Sequence, residues 1–226
     1  MDYYGAMFFF FFSIRPLAWM LAPAAALTWN SAALSQTSAE RAVRAEAKQA
    51  AERGALFYET LLGELNVQAG QPQVGYALLL QAARRSGDAR LYQRAVELAL
   101  QSRSGEHALQ AARAWKAALP DSSEANRSLL QISIALNQIA DTGPLLKQVL
   151  AQSAHDERQR LLRAVPGMYA RASDKPLAAS VIEQGLEESL SSPDTRAVAW
   201  TALGFAKLAA GQTQQALEAA IEGGTT

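Results

Sequence analysis

The feature of this sequence that most restricts its fold is a spacing of small residues that occurs twice. Two glycines stand seven residues apart, Gly63 and Gly70 in the first stretch and Gly204 and Gly211 in the second, and a small residue follows five positions later. Each stretch holds two apolar patterns of helical period joined by a short turn. A glycine at the turn favours the left-handed backbone that ends a helix, and small residues let two helices cross closely. The spacing therefore predicts antiparallel helical hairpins.

The same register extends over most of the chain. With Trp200, Leu203 and Gly204 in their places, the second stretch resembles the tetratricopeptide repeat, a helix–turn–helix unit of about 34 residues. Weaker copies keep the period, and we predict repeats within residues 55–222 that begin near Leu56, Ala89, Ser123, Gln159 and Ala197. The resemblance implies an all-α fold, a right-handed α-α superhelix (solenoid) of these helix–turn–helix repeats. The alternative is an irregular helical array or bundle without strict repeats.

Three features depart from the tetratricopeptide pattern. Pro166 falls inside the first helix of the fourth repeat, where proline removes a hydrogen bond and crowds the preceding turn, so we expect a kink or break at Val165–Gly167. The aromatic residue usual at the eleventh position is present only as Tyr169. The last repeat reaches Ile221 without a polar capping helix, which leads us to expect self-association through that open end, or a truncated form of a longer repeat protein.

Composition narrows the possible chemistry. The chain has no cysteine and two histidines, His107 and His155, which excludes disulfides, thiolate metal sites and a multi-histidine metal centre. Lys and Arg number 21, as do Asp and Glu, so the charge does not indicate a nucleic-acid partner. We interpret His155–Glu157 and Asp121–Glu124 as helix-start clusters and the glycosylation pattern at Asn126 as chance. We therefore expect a non-enzyme without cofactor or metal.

Residues 7–34 are almost uninterruptedly apolar, with Arg15 as their one charge. We interpret them as an export signal with a cleavage site near Ala33–Ser35, or as an uncleaved anchor helix over Ala6–Trp29, against which Arg15 and two prolines argue. The chain is thus divided into a signal or membrane anchor (1–34), a polar alanine-rich linker (35–54), the repeat domain (55–222) and a tail (223–226). This arrangement resembles exported tetratricopeptide proteins of Gram-negative bacteria, which implies a periplasmic protein or one anchored in the inner membrane and facing the periplasm.

The resemblance also implies where a partner binds. In tetratricopeptide arrays the second, fifth, ninth and twelfth positions of each first helix line a concave groove. Carried onto this sequence, they predict a groove for a peptide or protein partner that includes Phe57, Thr60, Glu64, Arg90, Gln93, Glu97, Arg127, Gln131, Arg160, Arg163, Thr201 and Phe205. We expect Arg127, Arg160 and Arg163 to lie close together there and to suit acidic or C-terminal carboxylate groups.

Two alternatives to this groove remain open. In the first, the groove arginines pair with Glu97 and Glu124 within the protein and bind no ligand. In the second, the protein is a structural module that self-assembles through its open end and holds no extended ligand.

Overall fold

The chain is all-α in the part that the structure describes. The computed structural model describes residues 26–224, with side chains from residue 37 onward, and this described range contains no β-strand. Its helices are α1 Ala26–Gln68, α2 Pro72–Ser86, α3 Ala89–Gln101, α4 Gly105–Ala118, α5 Ser123–Ala135, α6 Thr142–Gln152, α7 His155–Met168, α8 Lys175–Ser191, α9 Arg196–Ala209 and α10 Thr213–Gly224. The predicted fold class, a helical-repeat array, is confirmed.

Each predicted repeat corresponds to two consecutive helices. The third and fifth helices begin at Ala89 and Ser123, the predicted first residues of the second and third repeats. The turns inside four repeats contain a left-handed residue where the repeat register predicts one, with φ of 76° at Gly70, 54° at Arg103, 57° at Asn137 and 75° at Gly211. A positive φ favours glycine or asparagine, so these residues end the first helix of each hairpin.

Close helix crossings occur at the small residues. A Cβ placed on Gly75 of α2 would lie 2.4 Å from the Val67 side chain and 2.7 Å from the backbone oxygen of Gly63, both on α1. Further along, a Cβ on Gly185 of α8 would lie 2.6 Å from the Leu146 side chain of α6. Protein interiors are close-packed, so these glycines set how near the paired helices approach.

Buried side chains form two hydrophobic clusters within the described residues. The first core joins α2 to α5 and includes Tyr92, Leu109 and Trp115, so the prediction that Trp115 is a core residue is confirmed. The second core joins α5 to α9 and includes Ile182. Leu129 of α5 packs against both, so α5 is the element that the two cores share.

Of the kink or break expected at Val165–Gly167, the break is wrong. Helix α7 continues through this proline and ends at Met168. Because Pro166 stands in the last turn, it removes one intrahelical hydrogen bond, and the helix ends before further bonds are affected. The backbone N–H of Tyr169 still donates to Val165 at 3.3 Å, and the next amide closes a tighter bond to Gly167 at 3.2 Å.

The N-terminal region is described only in part. The proposed signal or anchor falls largely on residues 1–25, which lie outside the described residues. Helix α1 runs without interruption from Ala26 through the predicted linker to Gln68, and the chain divides into two units between Glu52 and Arg53. Among the helices that the structure describes, none combines the length and hydropathy that a membrane span requires. The domain limits drawn from the sequence stay predictions.

Candidate functional site

The charged groove residues of α1 and α3 form ion pairs with other residues of the protein. The Arg94 guanidinium donates to both carboxylate oxygens of Glu64, at 2.8 and 2.9 Å, and lies 3.8 Å from Glu97. The hydrogen bond from Arg94 lowers the pKa of Glu64, which keeps the carboxylate ionised at neutral pH. Arg94 is at the sixth repeat position and was not among the predicted groove residues. Phe57, at the start of this half, is exposed.

Three further groove residues bind within their own helices. Arg90 is exposed and pairs at 3.2 Å with Asp88, the N-cap residue of α3. Gln93 donates to Glu97 at 3.0 Å. The Thr60 hydroxyl donates to the backbone carbonyl four residues earlier at 2.8 Å. In the part of the predicted groove formed by α1 and α3, Arg90 is therefore already paired with Asp88. The main group left exposed there is the Phe57 ring.

Arg127 on α5 is also paired, but not as expected. Its guanidinium donates at 2.8 Å to Glu157 in the first turn of α7, whereas the predicted carboxylate partners were Glu97 and Glu124. The side chain is half-buried. The positive charge of Arg127 is thus offset inside the array, and Gln131, one turn further along α5, is exposed.

Arg163, Thr201 and Phe205 come together in a cleft between α7 and α9. The cleft has a volume of about 370 Å³, and its walls are completed by Pro166, Ala197, Val198 and Ala202. Arg163 is exposed, and no described residue forms a hydrogen bond or ion pair with it. Phe205 is 60 % exposed although its ring is apolar. The Thr201 hydroxyl donates to the Ala197 carbonyl at 2.7 Å.

The two helices that form this cleft provide complementary chemistry. Helix α7 contributes cations: Arg160 lies one turn before Arg163, is likewise exposed, and has no hydrogen-bond or ion-pair partner within residues 37–224. Helix α9 contributes the apolar wall around Phe205. A guanidinium can bind a carboxylate through two parallel hydrogen bonds, and an adjacent aromatic ring offers a large rigid apolar contact. The arrangement suits a ligand with an anionic group beside an apolar side chain.

Ser122, His107 and His155, which the sequence analysis also considered, lie at or near the starts of helices. Ser122 caps α5 by accepting a hydrogen bond from the Ala125 N–H at 3.2 Å, as the helix-start interpretation predicts. His107 is exposed, and its ring stacks on Tyr76 with the ring centroids 4.9 Å apart. His155 begins α7 and is exposed. Within the described part of the chain, no group of three or more His, Cys, Asp or Glu side chains could hold a metal ion.

Comparisons with known proteins find similarity at the level of solved structures. No protein-family model matches the chain, and no curated protein matches it. A structure described as a MamA RS-1 ArsTM double mutant superposes with a TM-score of 0.43 and 13 % identity, covering 75 % of this chain and 92 % of that one. A crystal structure of MamA gives a TM-score of 0.41 and 10 % identity, covering 71 % and 91 %. Likeness at this level says nothing about whether the α7–α9 cleft binds a ligand.

Proposed function

We propose that this protein is a protein-interaction scaffold whose α7–α9 cleft binds a peptide segment that carries a carboxylate beside an apolar side chain. The observation that carries the proposal is Arg163, an exposed guanidinium without a partner among the described residues, beside an apolar cleft that contains Phe205. Arginine and aromatic residues are the types that dominate the energy of protein interfaces. The other groove arginines, Arg90 and Arg127, are engaged with Asp88 and Glu157 and are less available.

We also propose that the repeats are of the tetratricopeptide type and that the protein acts without catalysis at the cell envelope. The repeat register supports the first point, and the apolar segment of residues 7–34 supports the second. Fractionation of cells that express the full chain tests the location. We expect the protein in the periplasmic or membrane fraction, and recovery from the cytosol alone would contradict the proposal.

The binding proposal is tested with a library of peptides that have free C termini. We expect selected peptides to end in, or contain, an acidic group beside an apolar residue. Arg163→Gln should weaken their binding about ten- to hundredfold, because hydrogen bonds to charged groups are worth about 1.5–3 kcal/mol. Arg103→Gln is the matched control, since Arg103 is exposed in the turn before α4.

Neutralising the carboxylate of a selected peptide completes the test. Amidation of a C-terminal group, or Asp→Asn within the peptide, should weaken binding to the unchanged protein and have little effect on Arg163→Gln. Equal losses with both proteins would show that Arg163 does not bind the carboxylate, and the cleft would then not be the binding site.

A further inference from the structure

Both ends of the repeat array expose large apolar side chains. On the side of the first hairpin these are Tyr58, Leu61, Leu65 and Val74, and on the side of the last hairpin they are Phe205, Leu208, Leu217 and Ile221. Exposed apolar groups that stand singly need no explanation, but contiguous ones mark interaction surfaces. The repeat register shows what each of these two surfaces would meet.

The exposed face of α1 is the face that other first helices turn toward the preceding hairpin. At the third repeat position Tyr58 is 61 % exposed, and at the tenth position Leu65 is exposed as well. The third position is buried or half-buried in the later repeats, at Leu91, Ala125, Leu161 and Ala199. So is the tenth, at Leu98, Ile132, Met168 and Ala206. Helix α1 therefore presents one half of an inter-repeat junction.

The exposed face of α10 is the other half of such a junction. At the twenty-first repeat position Leu217 is 55 % exposed, and at the twenty-fourth Ala220 is exposed too. The twenty-first position is buried in the earlier repeats, at Tyr76, Leu109, Gly143 and Ala179. The twenty-fourth is buried there as well, at Leu79, Ala112, Leu146 and Ile182. Helices α9 and α10 thus leave open a surface that elsewhere in the chain is covered.

We infer that the α9–α10 face of one copy binds the α1–α2 face of a second copy, so that the repeat stack continues from chain to chain. The occupant is a second copy because the described array forms this junction between its own hairpins, and its first and last hairpins expose the two complementary faces. Such a contact is head-to-tail, so it is open-ended unless its rotation closes a ring. The junction lies at the ends of the array; it shares Phe205 with the proposed peptide cleft, but Arg163 belongs to the cleft alone.

A contact inside the chain fixes the register of this junction. The Tyr76 ring, at the twenty-first position of the first repeat, stacks on His107, at the nineteenth position of the second. At the junction between copies the equivalent residues are Leu217 and Val74. Both are apolar and exposed, Val74 to 46 %, so their contact would bury apolar surface from each copy.

A second internal contact points to a second pair. The ion pair of Glu64 with Arg94 joins the ninth position of one repeat to the sixth position of the next. The equivalent residues at the ends are Phe205 and Leu61, which are both exposed and apolar. A charge pair inside the array is therefore matched by an apolar pair between copies, and no unpaired charge is buried at either position.

Cysteine crosslinking tests the inference, because the chain contains no cysteine of its own. Two full-length variants with different tags, Leu217→Cys and Val74→Cys, are mixed in a non-ionic detergent and treated with a short bismaleimide. We expect heterodimers in the mixture, little homodimer from either variant alone, and a ladder of multimers from the double variant. Ser180→Cys, at a position exposed in every repeat, is the control.

Each other outcome overturns the inference. Homodimers of Val74→Cys would indicate a symmetric contact, and crosslinking of Ser180→Cys to the same extent would indicate association through the apolar N-terminal segment. Absence of heterodimers would show that a second copy does not bind these faces.

A charge exchange gives independent evidence on register. Phe205→Glu or Leu61→Arg alone, placed in the crosslinking variants, should lower the heterodimer yield at least tenfold. The two together, one in each copy, recreate the internal Glu–Arg pair and should restore it. Unchanged yields with the single variants would overturn the register. Arg163→Gln should leave the yield unaltered, which separates this inference from the peptide-binding proposal.

Discussion

At the scale of single residues, the side chain of Asn126 makes more hydrogen bonds than the sequence around it would indicate. Its side chain is fully buried on α5. The amide oxygen accepts a hydrogen bond from Lys116 of α4, and the amide nitrogen donates to the Pro120 carbonyl at 3.2 Å and to Gln152 of α6 at 3.0 Å. The network ties three helices together and leaves the side chain inaccessible to glycosylation in the folded protein.

We expect Asn126→Ala to lower the free energy of unfolding by about 1–3 kcal/mol, because it removes the hydrogen bonds of a fully buried side chain to Lys116, the Pro120 carbonyl and Gln152. Urea denaturation measures the change. Ser128→Ala removes the same glycosylation pattern without touching the network, and it should change stability by no more than about 0.5 kcal/mol. Equal effects of the two substitutions would contradict the role given to the amide.

Tyr169 should make the free energy of unfolding decrease at alkaline pH. Burial raises its pKa from an ordinary 10.0 to about 12, while its hydroxyl donates to Thr142 at 2.9 Å. Because the folded pKa lies above the unfolded one, the stabilisation is complete below pH 10 and is lost as the pH rises from 10 to 12. Tyr169→Phe should therefore lose less stability than the unchanged protein between pH 9 and 11.5 in urea titrations. Identical losses would show that this hydroxyl does not titrate during unfolding.

The sequence allowed us to predict on which helices the groove residues lie, but not which residues they contact. The repeat register placed Arg163, Thr201 and Phe205 on first helices, and the structure brings these three into one cleft. It did not predict that Glu157 would meet Arg127. Such ion pairs depend on the axial stagger and side-chain directions of neighbouring helices, which a repeat period does not specify.

At the scale of helices, glycine has opposite consequences at two positions. A Cβ on Gly185 of α8 would lie 2.6 Å from Cδ2 of Leu146 on α6 and 2.9 Å from its Cβ, which moves only with the backbone. On α1, a Cβ on Gly54 would meet nothing within 4 Å. The first glycine is required by packing, and the second weakens its helix without such a reason.

We expect Gly185→Ala to destabilise the protein by about 1–3 kcal/mol through overpacking, although alanine is the better helix former. Gly54→Ala should instead stabilise it by about 0.5–1 kcal/mol. Thermal unfolding followed by circular dichroism gives both values. A stabilising effect of Gly185→Ala would show that α6 and α8 separate easily.

The presence of the helices could be predicted from the sequence, whereas the break predicted in α7 at Pro166 was wrong. Apolar period and turn residues placed the starts of α3 and α5 correctly. The break expected at Pro166 failed because the cost of a proline depends on how many turns follow it, and α7 ends two residues later. Period alone does not say where in its helix a proline stands.

At the scale of the whole molecule, the two cores should be distinguishable during unfolding. Trp115 belongs to the first core, and Trp200 packs against the second. In repeat arrays each unit contacts only its neighbours, so stability is a sum of local contributions. The division was not predictable from the sequence, because the repeats carry the same period on both sides of α5.

Urea denaturation of variants that keep a single tryptophan tests this division, with phenylalanine at the other three positions. The fluorescence of Trp115 and that of Trp200 should change at different urea midpoints. Coincident midpoints and slopes would show that α5 couples the cores into one cooperative unit.

Because both cores include α5, the arrangement also predicts how the protein responds to a pulling force. A force applied along the chain would load the two cores in series, so the weaker one should yield first and leave the other folded. Helices α2–α4, which lie wholly in the first core, would release on the order of 150 Å of chain when stretched. A pulling trace with two separated steps would then reveal a protein that lengthens in stages under load.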